Sequence, residues 1–101
     1  MGNRVQVCRK DDVAAGRFRC VEVEGQKIVL YNVDGSFYAT SATCAHQGGP
    51  LDEGLFEAGV VTCPWHGWQF DVRTGEAIYD PGRSVATYSV SVVGDDVLVE
   101  V

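Results

Sequence analysis

The chain has little of several things on which whole protein classes depend. Lysine and arginine number 8 against 14 aspartates and glutamates, a net charge of −6. That balance argues against nucleic acid as a partner, because phosphate binding needs clustered cations. It fits a chain that docks on a basic protein surface. No apolar run approaches the roughly 18 residues of a membrane span. The opening "MGNRVQVCRK" holds no hydrophobic signal core. We therefore expect no membrane partner and a cytoplasmic location. Gly2 alone is weak evidence for myristoylation, since that motif wants Ser or Thr where Gln6 stands. No stretch sustains a helical period, and there is no repeat, low-complexity run or linker. With 101 residues, the chain is expected to form one domain over 1–101, a monomer with a modest core.

What the sequence does have is a β pattern. "RVQV" alternates Val5 and Val7 with polar neighbours. "CVEVEGQKIVLYNVDGSFYAT" and its approach hold three strand candidates over 18–24, 27–32 and 37–40. Gly25 marks the first turn, and Asp34-Gly35 is a two-residue hairpin signal. Residues 59–63 and 68–72 read as strands, with Thr74-Gly75 as a turn after them. "VATYSVSVVGDDVLVEV" closes the chain with two alternating strands around Gly94-Asp95. Many short strands with glycine turns predict an all-β fold, a small antiparallel sandwich or barrel.

Residues 41–83 differ from the flanks. They hold both histidines, both tryptophans, all three prolines and seven glycines, so they offer few residues for a core of their own. They read as loops held around something, and a metal centre would supply the missing organisation. Cys44 and His46 stand two apart, and Cys63 and His66 three apart, with sixteen residues between the pairs. Thiolates suit zinc, Cu(I) and iron–sulfur clusters, and imidazole suits zinc and iron. Pro64 pre-sets one backbone angle in the second pair. Gly48, Gly49 and Gly67 permit close approach of backbone amides to sulfur. Two readings fit: one tetrahedral Cys2His2 zinc, or a [2Fe–2S] cluster with two cysteines on one iron and two histidines on the other. Cys8 and Cys20 lie in strand-like segments apart from any histidine. A reducing compartment keeps such thiols unpaired, and we expect both to be small buried hydrophobes.

Cys44-x-His46 followed by Cys63-x-x-His66, within "CAHQGGPLDEG", "CPWHGWQFDVRTGE" and "PGRSVATYSV", resembles the Rieske [2Fe–2S] signature. The likeness covers the whole chain. It is most similar to the stand-alone Rieske ferredoxins of bacterial ring-hydroxylating dioxygenase systems. The resemblance implies one [2Fe–2S] cluster per chain, held by Cys44, His46, Cys63 and His66. It implies antiparallel β-sheets with two inserted cluster loops, residues 41–83 forming the cluster-binding subdomain. A third loop around Asp80-Pro81-Gly82-Arg83 would cover the cluster. Rieske proteins of respiratory complexes carry an extra, disulfide-linked cysteine in each loop; the matching positions here are Gly49 and Trp65. Their Ser and Tyr donors to the cluster are matched by Trp68 and Phe70. Fewer donors imply a potential near the low end of the Rieske range, roughly −150 mV.

The same resemblance implies a one-electron carrier that is not itself an enzyme. Electrons would arrive from a flavoprotein ferredoxin reductase and leave, through the histidine-ligated iron, to a terminal aromatic-ring-hydroxylating oxygenase. With both histidines used as ligands, the chain has none for a 2-His-1-carboxylate iron site. Alternatives are a small Rieske subunit of a larger oxidoreductase such as nitrite reductase, and a zinc-stabilised structural β domain. Trp65 and Pro50 are candidates for the dry centre of a docking surface, with Asp52, Glu53 and Glu57 as its rim or simply a solvated acidic face. Trp68 reads either as core or as a shield beside the cluster. Arg83 reads either as a pin for the third loop or as an exposed cation.

Overall fold

The computed structural model describes residues 3–43, 50–65, 67–79 and 83–101. Among them are ten strands and two single-turn 3-10 helices, Lys10–Asp12 and Leu51–Glu53. The strands are β1 (Arg4–Arg9), β2 (Phe18–Val23), β3 (Gln26–Val33), β4 (Ser36–Ser41), β5 (Leu55–Glu57), β6 (Val60–Thr62), β7 (Gln69–Asp71), β8 (Thr87–Tyr88), β9 (Val90–Val93) and β10 (Asp96–Glu100). All pairings are antiparallel. They form three sheets, ordered β1-β10-β9, β2-β3-β4-β8 and β5-β6-β7. This is the all-β, antiparallel architecture expected from the pattern.

Strand β3 explains how the sheets stack. Its residues Ile28 to Val33 are all buried. Side chains alternate across a strand, so the run feeds two cores. Ile28 and Leu30 join Cys8, Val13, Val23, Ala39, Val97 and Val99 on one side. Val29, Tyr31 and Val33 join Leu51, Val61, Cys63, Phe70, Val72, Ala77 and Val85 on the other. The β2-β3-β4-β8 sheet is therefore the middle layer. The β1-β10-β9 sheet covers one face and the β5-β6-β7 sheet covers the other.

Local chemistry fixes the register. Asp34 and Gly35 both have positive φ, 52° and 93°, which the tight β3–β4 hairpin requires. The buried Asn32 secures the same turn: its Oδ1 accepts the Gly35 N–H at 2.7 Å, and its Nδ2 donates to the Val13 carbonyl at 2.7 Å. Tyr31 Oη lies 3.0 Å from Thr40 Oγ1, and that hydroxyl donates to the Ser41 carbonyl at 3.0 Å. Burial pushes the Tyr31 phenol well above its ordinary pKa, so it stays a neutral donor. Its ring packs against Phe56 at 5.0 Å, tying β5 to the middle layer, and against Phe18 of the neighbouring β2 at 6.0 Å.

Four departures from the sequence expectations have physical causes. Strand β5 was not foreseen; its three residues alternate too briefly to show a period. The closing segment makes three strands, not two. At Ser89 the chain leaves β8, paired with β4, and enters β9, paired with β10. Residues 41–83 do contribute a core, because Leu51, Val61 and Phe70 are fully buried once β5, β6 and β7 pair. Cys8 is buried as expected, but Cys20 is exposed. It pairs with Val29 and shares a face with Phe18, on the side of the Val29–Tyr31 core, yet stays exposed there, whereas Val21 and Val23 lie on the opposite face and pack in the other core. Partial desolvation of the Cys20 thiol, reinforced by the Asp52 carboxylate, raises its pKa.

Tyr31→Phe should cost about 1 kcal/mol, one buried hydrogen bond. Phe70→Ala should cost about 3–5 kcal/mol, through a cavity where β7 faces the core. Chemical denaturation checks both. Equal losses would mean that the Phe70 side of the core carries less of the fold than its burial indicates.

Candidate metal centre

Three segments spring from the core beneath the β5-β6-β7 sheet, and each is closed at its base by backbone pairing. Thr43 bridges to Pro50, and the Leu51 N–H donates to the Ala42 carbonyl at 2.8 Å. Between them lie 44–49, with Cys44, His46, Gly48 and Gly49, which fall outside the described residues. The Cys63 N–H donates to the Trp68 carbonyl at 2.7 Å, closing 63–68. His66, inside that turn, is also outside the described residues. Finally, the Ala77 N–H donates to the Arg83 carbonyl at 2.9 Å, and Glu76 bridges to Ser84. Asp80, Pro81 and Gly82, on the third segment, lie outside the description as well. The anchors Ala42, Leu51, Cys63, Phe70, Ala77 and Val85 all belong to one buried cluster.

Cys63 is the one sequence-designated ligand within the described residues. It follows β6 directly and is 1% exposed, so its sulfur sits at the edge of the core. The Trp65 N–H donates to Cys63 Sγ at 3.4 Å. An amide aimed at sulfur stabilises a thiolate. That amide belongs to Trp65, a residue the sequence reading did not nominate for the role; Gly48 and Gly49, which it did nominate, lie outside the described residues. Gly67 adopts φ 71°, the left-handed conformation that turns the chain back toward β7. A buried cysteine sulfur with an amide donor, three residues before a histidine in the sequence, fits a thiolate-bound metal. Among the described residues no three His, Cys, Asp or Glu side chains converge on another metal position.

The remaining designated residues take distinct places. Pro50 is half-buried, and Trp65 stands 49% exposed beside Cys63. Trp68 is half-buried and stacks on Phe70 at 6.4 Å, so it packs partly into the core. Arg83 sets its guanidinium 5.4 Å over the Trp68 ring while its carbonyl closes the third segment. Glu53 and Glu57 are exposed. Asp52 is half-buried, and its carboxylate helps raise the pKa of Cys20 on β2. Sequence reasoning missed Ile78 and Tyr79, exposed by 43% and 86% at the foot of the third segment. An apolar pair directly ahead of Asp80-Pro81-Gly82 was the available signal.

Comparison with known proteins agrees with this geometry. Residues 3–89 match the family model described as the Rieske [2Fe-2S] domain. The ferredoxin component of a biphenyl 2,3-dioxygenase from Rhodococcus jostii (strain RHA1) is 40% identical, over 94% of this chain and 90% of its own. The ferredoxin component of the naphthalene 1,2-dioxygenase/salicylate 5-hydroxylase systems of Ralstonia sp is 35% identical, over 89% of this chain and 88% of its own. The solved ferredoxin of carbazole 1,9a-dioxygenase from Nocardioides aromaticivorans IC177 superposes with a TM-score of 0.89 at 33% identity, covering 96% of both chains. A buried cysteine on a core-anchored turn, a family match over most of the sequence and end-to-end likeness to ferredoxins lead to one conclusion: the chain belongs to the Rieske [2Fe-2S] family, as a Rieske-type ferredoxin.

Proposed function

We propose that the chain is a soluble, cytoplasmic, monomeric one-electron carrier of a ring-hydroxylating dioxygenase system. It takes electrons from a flavoprotein ferredoxin reductase and delivers them to the terminal oxygenase, without being an enzyme itself. The observation that carries this reading is the match to ferredoxin components over nearly the whole length of both chains. No described helix is long and apolar enough to cross a membrane.

In this reading residues 41–83 are the cluster-binding part of a single domain over 1–101. Cys44 and Cys63 hold one iron, and His46 and His66 hold the other. The bound cluster supplies reversible one-electron chemistry. The chain's own residues do the rest. The base pairings hold the ligand segments at fixed separations. The buried anchor residues keep water from the Cys63 side, and the Trp65 amide stabilises the thiolate. The Trp68–Phe70 pair offers no hydroxyl donor, which favours a potential near the low end of the Rieske range, roughly −150 mV.

Anaerobically purified protein should be red-brown, with about two irons and two labile sulfides per chain. Cys44→Ala, His46→Ala, Cys63→Ala and His66→Ala should each lose the colour, while Cys8→Ser and Cys20→Ser keep it. One zinc per chain without sulfide would contradict the cofactor assignment. Bleaching by Cys8→Ser but not by Cys44→Ala would contradict the ligand set.

A carrier with two partners needs a brief, weak contact. The exposed Trp65 suits its dry centre, and the exposed Glu53 and Glu57 suit a charged rim better than the half-buried Asp52. Transfer from reductase should slow as salt rises from about 0.05 to 0.5 M, where the Debye length falls from roughly 14 to roughly 4 Å. Reversing Glu53 and Glu57 to lysine should lower the association rate and flatten the salt response. Stopped-flow rates indifferent to both salt and reversal would reduce the acidic face to a solubility feature.

A further inference from the structure

The second and third segments are joined by side chains as well as by a shared core. The Trp68 indole stacks on Phe70, which is fully buried. The Arg83 guanidinium carbon lies 5.4 Å from the Trp68 ring centre, within the roughly 6 Å reach of a cation–π contact. The main chain of each partner closes a segment base: the Trp68 carbonyl accepts the Cys63 N–H, and the Arg83 carbonyl accepts the Ala77 N–H. One line of contacts therefore runs from the core through Phe70, Trp68 and Arg83 to the foot of 78–82, and it passes the residue that fixes the Cys63 backbone.

We propose that Arg83 is a positioning residue for the cluster. Its planar cation straps the third segment to the Cys63 turn through Trp68, and its fixed charge favours the reduced state. This inference rests on the cluster reading above. The strap acts mechanically, because Trp68 cannot swing away from Phe70 without losing the cation on its ring, and its carbonyl carries the Cys63 N–H. The electrostatic part follows from guanidinium remaining ionised at every working pH. Reduction adds a negative charge to the site, and a nearby positive charge stabilises that state. Lysine keeps the charge but not the planar face that stacks on an indole. Charge and strap are thus separable by substitution.

The test uses the purified holoprotein and its variants Arg83→Gln, Arg83→Lys, Trp68→Leu and the Arg83→Gln/Trp68→Leu double variant. Iron release to a chelator is followed by loss of visible absorbance, and the midpoint potential by spectroelectrochemistry. Arg83→Gln should release iron about two to five times faster than wild type, the factor that a partly exposed cation–π contact is worth, with a lower midpoint potential. Arg83→Lys should release iron faster too, yet keep a midpoint near wild type. The double variant should release iron no faster than Trp68→Leu, because the two residues act through one contact. Wild-type release and potential in Arg83→Gln would overturn the proposal, as would effects of the two substitutions that simply multiply. Arg83 is exposed, so its two variants decide the matter even if Trp68→Leu does not fold. A wild-type protein without the visible bands of a cluster would overturn the underlying reading instead, before any variant is compared.

Discussion

Burial of β3 on both faces is the constraint on which the rest of the structure depends. Six consecutive residues, Ile28 to Val33, are buried, and alternation sends Ile28 and Leu30 to one core and Val29, Tyr31 and Val33 to the other. A slip of one residue would exchange the two faces and send Tyr31 and Val29 into the wrong layer. The Asp34-Gly35 turn, with Asn32 bonded across it, prevents that slip. The site inherits its geometry from this arrangement, because all three segment bases are anchored in the core on the Val29, Tyr31 and Val33 side.

That inheritance has consequences for the chemistry. A metal centre on free loops would have to order its ligands at the moment of binding, and would rearrange whenever its charge changed. Here each segment base is paired and rests on a buried core residue, Leu51, Cys63 or Ala77, so the ligand turns begin from defined positions. Sites held on rigid elements keep their geometry better than sites on unsupported loops. The absence of hydroxyl donors at Trp68 and Phe70 belongs to the same design. A stacked aromatic pair gives packing and dryness where a donor would give a higher potential. Arg83 supplies positive charge to that region from outside the core, where it remains solvated.

Much of this was legible in the sequence, for reasons that differ by residue. Two Cys–His pairs stand out because metal chemistry admits few residue types, and the chain spends both its histidines on them. Strands β2 to β4 were legible because they are runs of six to eight residues rich in β-formers, with glycine turns between them. Strand β5 was not, since three residues cannot display a period. The core contribution of Leu51, Val61 and Phe70 was hidden because glycines and prolines separate them, and their burial depends on strands that pair only in three dimensions. The exposure of Cys20 was not legible, because it shares a face with the packed Phe18 and the buried Val29, and only the three-dimensional extent of the covering layer leaves it open. The Arg83–Trp68 stack joins two loops distant in sequence, and no local pattern announces such a contact.

The central claim is that one cluster is held jointly by cysteine and histidine from two core-anchored segments. Pulsed electron–nuclear resonance on the chemically reduced protein, with histidine labelled by 15N, reads this directly. The account predicts hyperfine coupling from two histidine nitrogens to the unpaired electron, with no such pair of couplings in His46→Cys or His66→Cys protein that still retains a cluster. Absence of any directly bonded histidine nitrogen in a wild-type protein carrying a full [2Fe–2S] complement would contradict it.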